Sequence, residues 1–230
     1  MSLYKYLSPD RIVDVLSGAT LTVSLASKRN DPFDELCAVD IGDNDEDRRH
    51  NAERLRGRQE ITFGAISLSE VWDSIPMWSY YADHHRGFVI EFDETHPDFF
   101  IKQRTGVLVP IIYDNRVVVR GKLDRKKTPP QFYKAPTWAH EREMRIVMKL
   151  KDCRPPFPTV DGRQIYLADH PRDAVTKVFL GCRISEFFKV YVQQNFQQWG
   201  FHNAKLIALE PHHEVFAFAA KELALPDTRM

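Results

Sequence analysis

The stretch WAHEREMRIVMKL, residues 138–150, places Glu141, Glu143 and Arg145 at alternate positions just before an apolar run. Carboxylates can stabilise a developing positive charge or take up a proton, and a guanidinium can bind phosphate or carboxylate oxygens at two points. Because successive side chains of a strand point to opposite faces, a strand here would put all three residues on one side. The alternating pattern and the β-branched residues that follow favour a strand over a helix.

The polar side of this strand has two interpretations. Met144, Ile146 and Met148 would share the opposite side, which we expect to face the core. Glu141 and Glu143 would then form either the edge of an active site or a solvated row of cross-strand ion pairs, which is the usual outcome for such a pattern.

Length and composition limit the classes of protein. A chain of 230 residues, 43% hydrophobic and 28% charged, predicts a single domain over 1–230 with a core of its own. Thirty-two basic and thirty-two acidic residues cancel, so no global field attracts nucleic acid or an anionic membrane. Three cysteines without paired spacing argue against a disulfide framework, and no segment resembles a signal or a membrane span. We expect a soluble cytoplasmic protein without a membrane partner.

The sequence predicts an α+β fold, in which many strands and a few helices follow one another without a linker and would position these residues. Strand LYKYL (residues 3–7), a helix from Ser8 to Leu16 and strand LTVSL (residues 21–25) open it. Many short strands follow, and a helix from Ser185 to Trp199 begins at a serine cap. The pattern predicts mainly antiparallel pairing. The phosphate-binding loop, the dinucleotide fingerprint, the zinc-protease motif and the hydrolase nucleophile elbow are all absent from the sequence.

Three further stretches combine unusual residues. LYKY places Lys5 between two tyrosines, SKRNDPFDE surrounds a predicted turn with charges, and MWSYYADHHRGFVIEFD crowds aromatic and histidine side chains before a strand. Aromatic residues at this density usually belong to a core, but a loop that carries them could also stack a flat ligand ring.

In this order, LYKY, NDPFDE, ISLSE, MWSYYADHHRGFVIEFD and WAHEREMRIV resemble a bacterial domain family of unknown function. The resemblance spans Leu3 to Val147. It implies that Glu141, Glu143 and Arg145 belong with Trp78 and the turn at residues 30–33 in one pattern.

A more distant resemblance is to the ADP-ribosyltransferase superfamily, whose split-sheet cradle opens with a Tyr-(His or Arg) strand and carries a catalytic glutamate at the start of a later strand. The resemblance implies NAD as the substrate, cleaved by transfer to an acceptor or by hydrolysis, in a toxin or defence effector. The implied catalytic residues are Glu143, Glu141 and Lys5. The implied cofactor-binding residues are Tyr4, Ser24, Ser27, Asn30, Trp78, Tyr81 and Arg145.

In that reading Glu143 stabilises the oxocarbenium-like ribose and Glu141 orients or deprotonates the acceptor, which is a protein, a nucleic acid or a small molecule. Lys5 departs from the family pattern, since lysine cannot make the planar contacts of histidine or arginine. We expect Lys5, Trp78, Glu141 and Glu143 to line one concave site.

Two other classes of function stay open. A metal-dependent nuclease would hold a divalent ion with Asp31, Glu141 and Glu143 and would follow a phosphate backbone with the basic residues 116–127. Against it, Arg145 stands where such enzymes carry a lysine. A non-catalytic sensor or toxin-partner module would use the same cleft only to bind.

Overall fold

The structure is a computed structural model of the whole chain. It describes residues 1–25, 28, 31, 33, 38–40, 44–97, 99, 106–114, 118–120, 132–158 and 164–226. The chain forms two compact units that are interleaved in sequence. The first unit comprises residues 1–21, 68–104 and 169–230, and the second comprises 22–67 and 105–168.

The first unit is built on a mainly antiparallel sheet. Its strands are β1 (Ser2–Leu7), β5 (Phe88–Asp93), β13 (Val175–Leu180), β14 (Lys205–Pro211) and β15 (Phe218–Glu222). They lie in the order β15-β14-β13-β5-β1, and among them only β13 and β14 pair in parallel. Two helices accompany the sheet, α2 (Ile75–Tyr81) and α3 (Glu186–Asn195).

Local sequence explains several elements of this unit. Ser185 caps α3, where its hydroxyl accepts a hydrogen bond from the backbone N–H of Phe188 at 3.3 Å. Tyr4 and Tyr6 point to the same face of β1 and are buried in a cluster that includes Trp78 and Phe179.

The second unit holds the strands around the glutamates. Its strands are β3 (Ala38–Asp40), β6 (Val107–Pro110), β7 (Ile112–Tyr113), β8 (Val118–Arg120), β9 (Tyr133–Lys134), β10 (Glu143–Lys149), β11 (Arg154–Pro158) and most of β12 (Gln164–Asp169). Strand β2 (Thr20–Val23) enters the unit, and β4 (Phe63–Ser69) leaves it. The order β4-β10-β6 places β10 centrally, with Arg145 opposite Val109 of β6.

Smaller pairings complete the second unit. Strands β7 and β9 pair in parallel, as do β3 and β8, while β11 and β12 are antiparallel. The long helix α1 (Asp45–Glu60) carries three acidic residues in its first turn, which suits the positive end of the helix dipole.

The predicted α+β class with mainly antiparallel strands is confirmed. Three elements differ from the predictions. The opening helix is a 3-10 turn (Pro9–Arg11) followed by a π-helical turn (Val13–Ser17), α3 ends at Asn195 rather than Trp199, and MWSYY forms the end of a short helix rather than a loop. Among the described helices, none is long and apolar enough to span a membrane.

Candidate functional site: a buried charge cluster in the second unit

The two glutamates are presented by two different elements. Glu141 ends a 3-10 turn (Pro136–Glu141), and β10 begins two residues later at Glu143. Between them Arg142 adopts a left-handed backbone conformation, with φ of 44°. The prediction that Glu141 lies on the same strand as Glu143 is therefore wrong. The left-handed conformation of Arg142 interrupts the extended backbone between the two glutamates.

Two cationic side chains, Lys134 and Arg145, contact these two glutamates. Lys134 Nζ on β9 lies 2.6 Å from Glu141 Oε2 and 3.4 Å from Glu143 Oε2. Arg145 donates two hydrogen bonds to the Glu143 carboxylate, from Nε to Oε1 at 2.6 Å and from Nη2 to Oε2 at 3.0 Å. Two positive and two negative groups balance, so the cluster of Lys134, Glu141, Glu143 and Arg145 carries no net charge.

All four members of this cluster are buried. The exposed fractions are 5% for Lys134, 3% for Glu141, 5% for Glu143 and 1% for Arg145. The interpretation of the polar side as a solvated row is therefore wrong for these residues. Because Met148 and Ile146 are buried as well, β10 is covered on both faces.

The surroundings keep Glu143 ionised. Burial by itself raises the pKa of a carboxyl group, but the charge and hydrogen bonds of Arg145, together with Lys134 and the Ser67 hydroxyl, outweigh it and lower the pKa of Glu143 to about 2. At neutral pH this carboxylate therefore holds a full negative charge in a dry environment.

The backbone of Glu143 is fixed by neighbouring strands. Its N–H donates to the hydroxyl of Tyr113 at 2.7 Å, and its carbonyl accepts from the N–H of Ile111 at 3.0 Å. Tyr113 is half-buried, and burial raises the pKa of its hydroxyl. This hydroxyl keeps its proton at neutral pH, and since it already accepts from Glu143 it can donate to a further group.

Sequence reasoning missed Lys134. It occupies the short strand β9, whose parallel partner β7 supplies Tyr113. The ring of Trp138 on the 3-10 turn lies 4.9 Å from the Lys134 ammonium, within cation–π range. The segment QFYKAPTW shows no charge pattern of its own. The one available signal is its short distance in sequence, since Lys134 lies nine residues before Glu143 and a strand there can pair next to β10.

The other predicted catalytic residue, Lys5, lies in the first unit. It is half-buried on β1 and is paired in register with Ile90 of β5. Tyr4 is buried beside it and is paired with Glu91. Burial and the nearby Glu91 carboxylate raise the pKa of Tyr4. The grouping of Lys5 with the two glutamates in one site stays a prediction.

Trp78 belongs to the core of the first unit. Its side chain is completely buried, its Nε1 donates to the carbonyl of Trp72 at 2.6 Å, and the ring of Tyr6 meets it edge-on at 5.6 Å. This is the usual role of an aromatic residue in such a segment. Tyr81 is half-buried against the same cluster, while Tyr80 is 64% exposed.

Ser24 and Asp31 belong to the second unit. Ser24 pairs through its backbone with Ala65, by two hydrogen bonds of 2.9 Å. Asp31 is buried, and its carboxylate accepts from the N–H of Phe33 at 2.8 Å, as expected for a turn. Ser27 and Asn30 lie outside the described residues.

The metal set of the alternative nuclease is not assembled. Within the described ranges, no three histidine, cysteine, aspartate or glutamate side chains come together so that they could hold a metal ion. Of the basic segment 116–127, only Val118–Arg120 is described.

Part of the chain matches a known family. Residues 77–146 match the model of a family described as "Protein of unknown function (DUF2971)". The matched range includes Lys134, Glu141, Glu143 and Arg145, and it leaves out Tyr4 and Lys5. The DUF2971 match supports the predicted similarity to a family of unknown function. No curated protein and no solved structure matches the chain.

Proposed function

We propose that this protein cleaves the bond between ribose and nicotinamide in NAD, in the manner of an ADP-ribosyltransferase or an NAD hydrolase. The observation that carries the proposal is the fixed, ionised Glu143, which Arg145 holds at two points. Such cleavage passes through an oxocarbenium-like ribose, which a preorganised carboxylate stabilises more strongly in a dry site than in water.

The proposed reaction is a substitution at the anomeric carbon of the ribose. The bond from this carbon to the nicotinamide nitrogen breaks, and the electron pair leaves with nicotinamide. A new bond forms to the oxygen of water or of an acceptor, whose proton passes to Glu141 or to solvent. Glu143 stabilises the positive charge on the ribose between these two events.

The proposal requires a route to the buried carboxylates. Tyr113 and Trp138 are half-buried and contact the charge cluster, at the Glu143 N–H and at the Lys134 ammonium respectively. We expect substrate entry to displace these two rings and to exchange their contacts for contacts with the ligand.

The test combines binding with product detection. The purified chain is titrated calorimetrically with NAD, and released nicotinamide and ADP-ribose are quantified by chromatography in the presence of a chelator. The proposal expects saturable binding and stoichiometric release of nicotinamide without added metal. A parallel set supplies Mg²⁺ or Mn²⁺ with single-stranded and double-stranded nucleic acid.

Two results would overturn the proposal. One is a chain that binds no NAD and releases no nicotinamide, with or without candidate protein and nucleic-acid acceptors. The other is metal-dependent cleavage of nucleic acid by a chain that leaves NAD intact, which would establish the nuclease instead.

A further inference from the structure

Lys134 makes two unequal contacts with the carboxylates. Its ammonium is 2.6 Å from Glu141 Oε2 but 3.4 Å from Glu143 Oε2. An ammonium–carboxylate hydrogen bond of full strength is about 2.7–2.9 Å long. Lys134 is therefore bound primarily to Glu141, and its contact with Glu143 is the weakest of the charged contacts described in the cluster.

The two oxygens of Glu143 are occupied to different degrees. Oε1 accepts from Arg145 Nε at 2.6 Å, and Oε2 accepts from Arg145 Nη2 at 3.0 Å and from the more distant Lys134. Of the two cations that contact Glu143 among the described residues, Lys134 at Oε2 is the one that a ribose hydroxyl can replace with the smaller loss of interaction, and the Ser67 hydroxyl is a further, neutral partner of this carboxylate. After that exchange, Lys134 would still be held by Glu141, 2.6 Å away.

We propose that Lys134 is a positioning residue that holds Glu141 beside Glu143 and yields the Oε2 position of Glu143 to the substrate. This inference rests on the proposed function, because it assigns Lys134 a part in the same NAD-cleaving site. Lys134 is thereby a further residue of the site, outside the set that the sequence pattern predicts. It also explains how two buried carboxylates can lie next to each other without mutual repulsion expelling one of them.

Within the part of the chain that the structure describes, the groups that face Glu143 come from several elements. They are Arg145 from its own strand, Lys134 from β9, the Tyr113 hydroxyl from β7, Ser67 from β4, and Glu141 from the preceding turn. Removal of the Lys134 charge leaves Arg145 as the one cation among them. The pKa of Glu143 should then rise, because a positive charge is lost while the carboxylate of Glu141 remains nearby.

The experiment uses Lys134→Met, Lys134→Gln and Lys134→Arg in the full chain. The control is Lys205→Met, which removes a lysine from an exposed ion pair with Glu222 at 2.9 Å. NAD turnover is measured as kcat and KM from pH 9 down to the lowest pH at which circular dichroism shows each variant folded, and the titration of Glu143 is followed over the same range by ¹³C NMR of its carboxyl group.

We expect both neutral variants to shift the acidic limb of the kcat profile and the Glu143 titration to higher pH. At neutral pH kcat should fall by roughly 10- to 100-fold with little change in KM, as for a misplaced catalytic group. Lys134→Arg should restore part of kcat, and Lys205→Met should behave as wild type. If Lys134→Met fails to fold, Lys134→Gln, which retains a hydrogen-bond donor, answers the same question.

A Glu143 titration and a kcat profile that do not move in the neutral variants would overturn the role of Lys134. If wild type releases no nicotinamide, the proposed function fails and the catalytic role of Lys134 fails with it. The NMR titration is independent of turnover, so it still decides whether Lys134 is coupled to Glu143. A failure of the function is thereby distinguished from a failure of the coupling.

Discussion

Arg145 and Glu143 lie on the same side of β10 and form a two-point ion pair between the guanidinium and the carboxylate, at 2.6 and 3.0 Å. Both side chains are buried. Charges that have left water depend on each other, so the removal of one partner leaves the other without compensation. Replacement of one partner should therefore destabilise the second unit, and the same cluster is central to the proposed chemistry.

Replacement of Glu143 should cost much more stability than replacement of an exposed glutamate. Glu143→Gln leaves the Arg145 guanidinium buried beside a neutral amide, which should lower the free energy of unfolding by about 3–5 kcal/mol. The matched control is Glu222→Gln, whose exposed pair with Lys205 should contribute less than about 1 kcal/mol. Urea denaturation of the three proteins measures both values. Equal small losses in the two variants would show that the buried pair contributes nothing.

Glu143 should also make stability depend on pH in the acidic range. Its pKa is about 2 in the folded chain, against an ordinary value of 4.5. The stabilisation is therefore complete above pH 4.5 and is lost as the pH falls towards 2, with a full value of about 3 kcal/mol. Denaturation curves between pH 6 and pH 3 should show a decline in wild type that is weaker in Glu143→Gln. Identical slopes would contradict this role.

His170 in the first unit predicts a second pH dependence. Its Nε2 donates to the carbonyl of Val15 at 2.7 Å, and burial lowers the pKa of the ring from 6.5 to about 4. The unfolded chain therefore binds a proton that the folded chain does not, so stability should fall as the pH decreases from 6.5 to 4, by up to about 3 kcal/mol. His170→Gln should reduce this slope in denaturation experiments, whereas exposed His213→Gln should leave it unchanged. If the free energy of unfolding of His170→Gln depends on pH as strongly as that of wild type, groups other than His170 cause the dependence.

Replacement of Gly87 by any residue with a side chain should destabilise the protein. A Cβ atom at this position would lie 2.0 Å from the carbonyl oxygen of Leu7, a backbone atom that cannot turn away. Gly87→Ala should therefore lower the melting temperature, with a loss of stability of about 1–3 kcal/mol or more. Gly57 in α1 has no atom within 4 Å of the corresponding position, and Gly57→Ala should stabilise the helix by up to about 1 kcal/mol. A Gly87→Ala variant as stable as wild type would contradict this prediction and show that β1 can shift to make room for the methyl group.

Local patterns in the sequence predicted much of the fold and part of the site. The period of two around Glu143 identified β10, and the serine cap identified the start of α3. The burial of the charges could not be predicted in this way, because it depends on Lys134 and Tyr113 contacting β10 from two other strands, nine and thirty residues before Glu143. The pattern likewise gave no sign of the left-handed Arg142, since such conformations are usually signalled by glycine or asparagine.

Trp78 illustrates the same limit. Its neighbours in sequence suggested either a core or a ligand surface, and the choice depended on Tyr6 and Phe218, which pack against its ring from β1 and β15. Tertiary contacts of this kind leave no periodic signal in the segment itself.

The most direct test of the account is the rate of nicotinamide release from NAD by wild type, Glu143→Gln and Glu222→Gln. The assay contains a chelator and is run at a temperature where circular dichroism shows all three proteins folded. We predict release by wild type, a rate lower by about 10²–10³-fold in Glu143→Gln, and an unchanged rate in Glu222→Gln. Equal rates in wild type and Glu143→Gln, or no release by wild type with any acceptor, would contradict the proposal that the Glu143 carboxylate cleaves NAD.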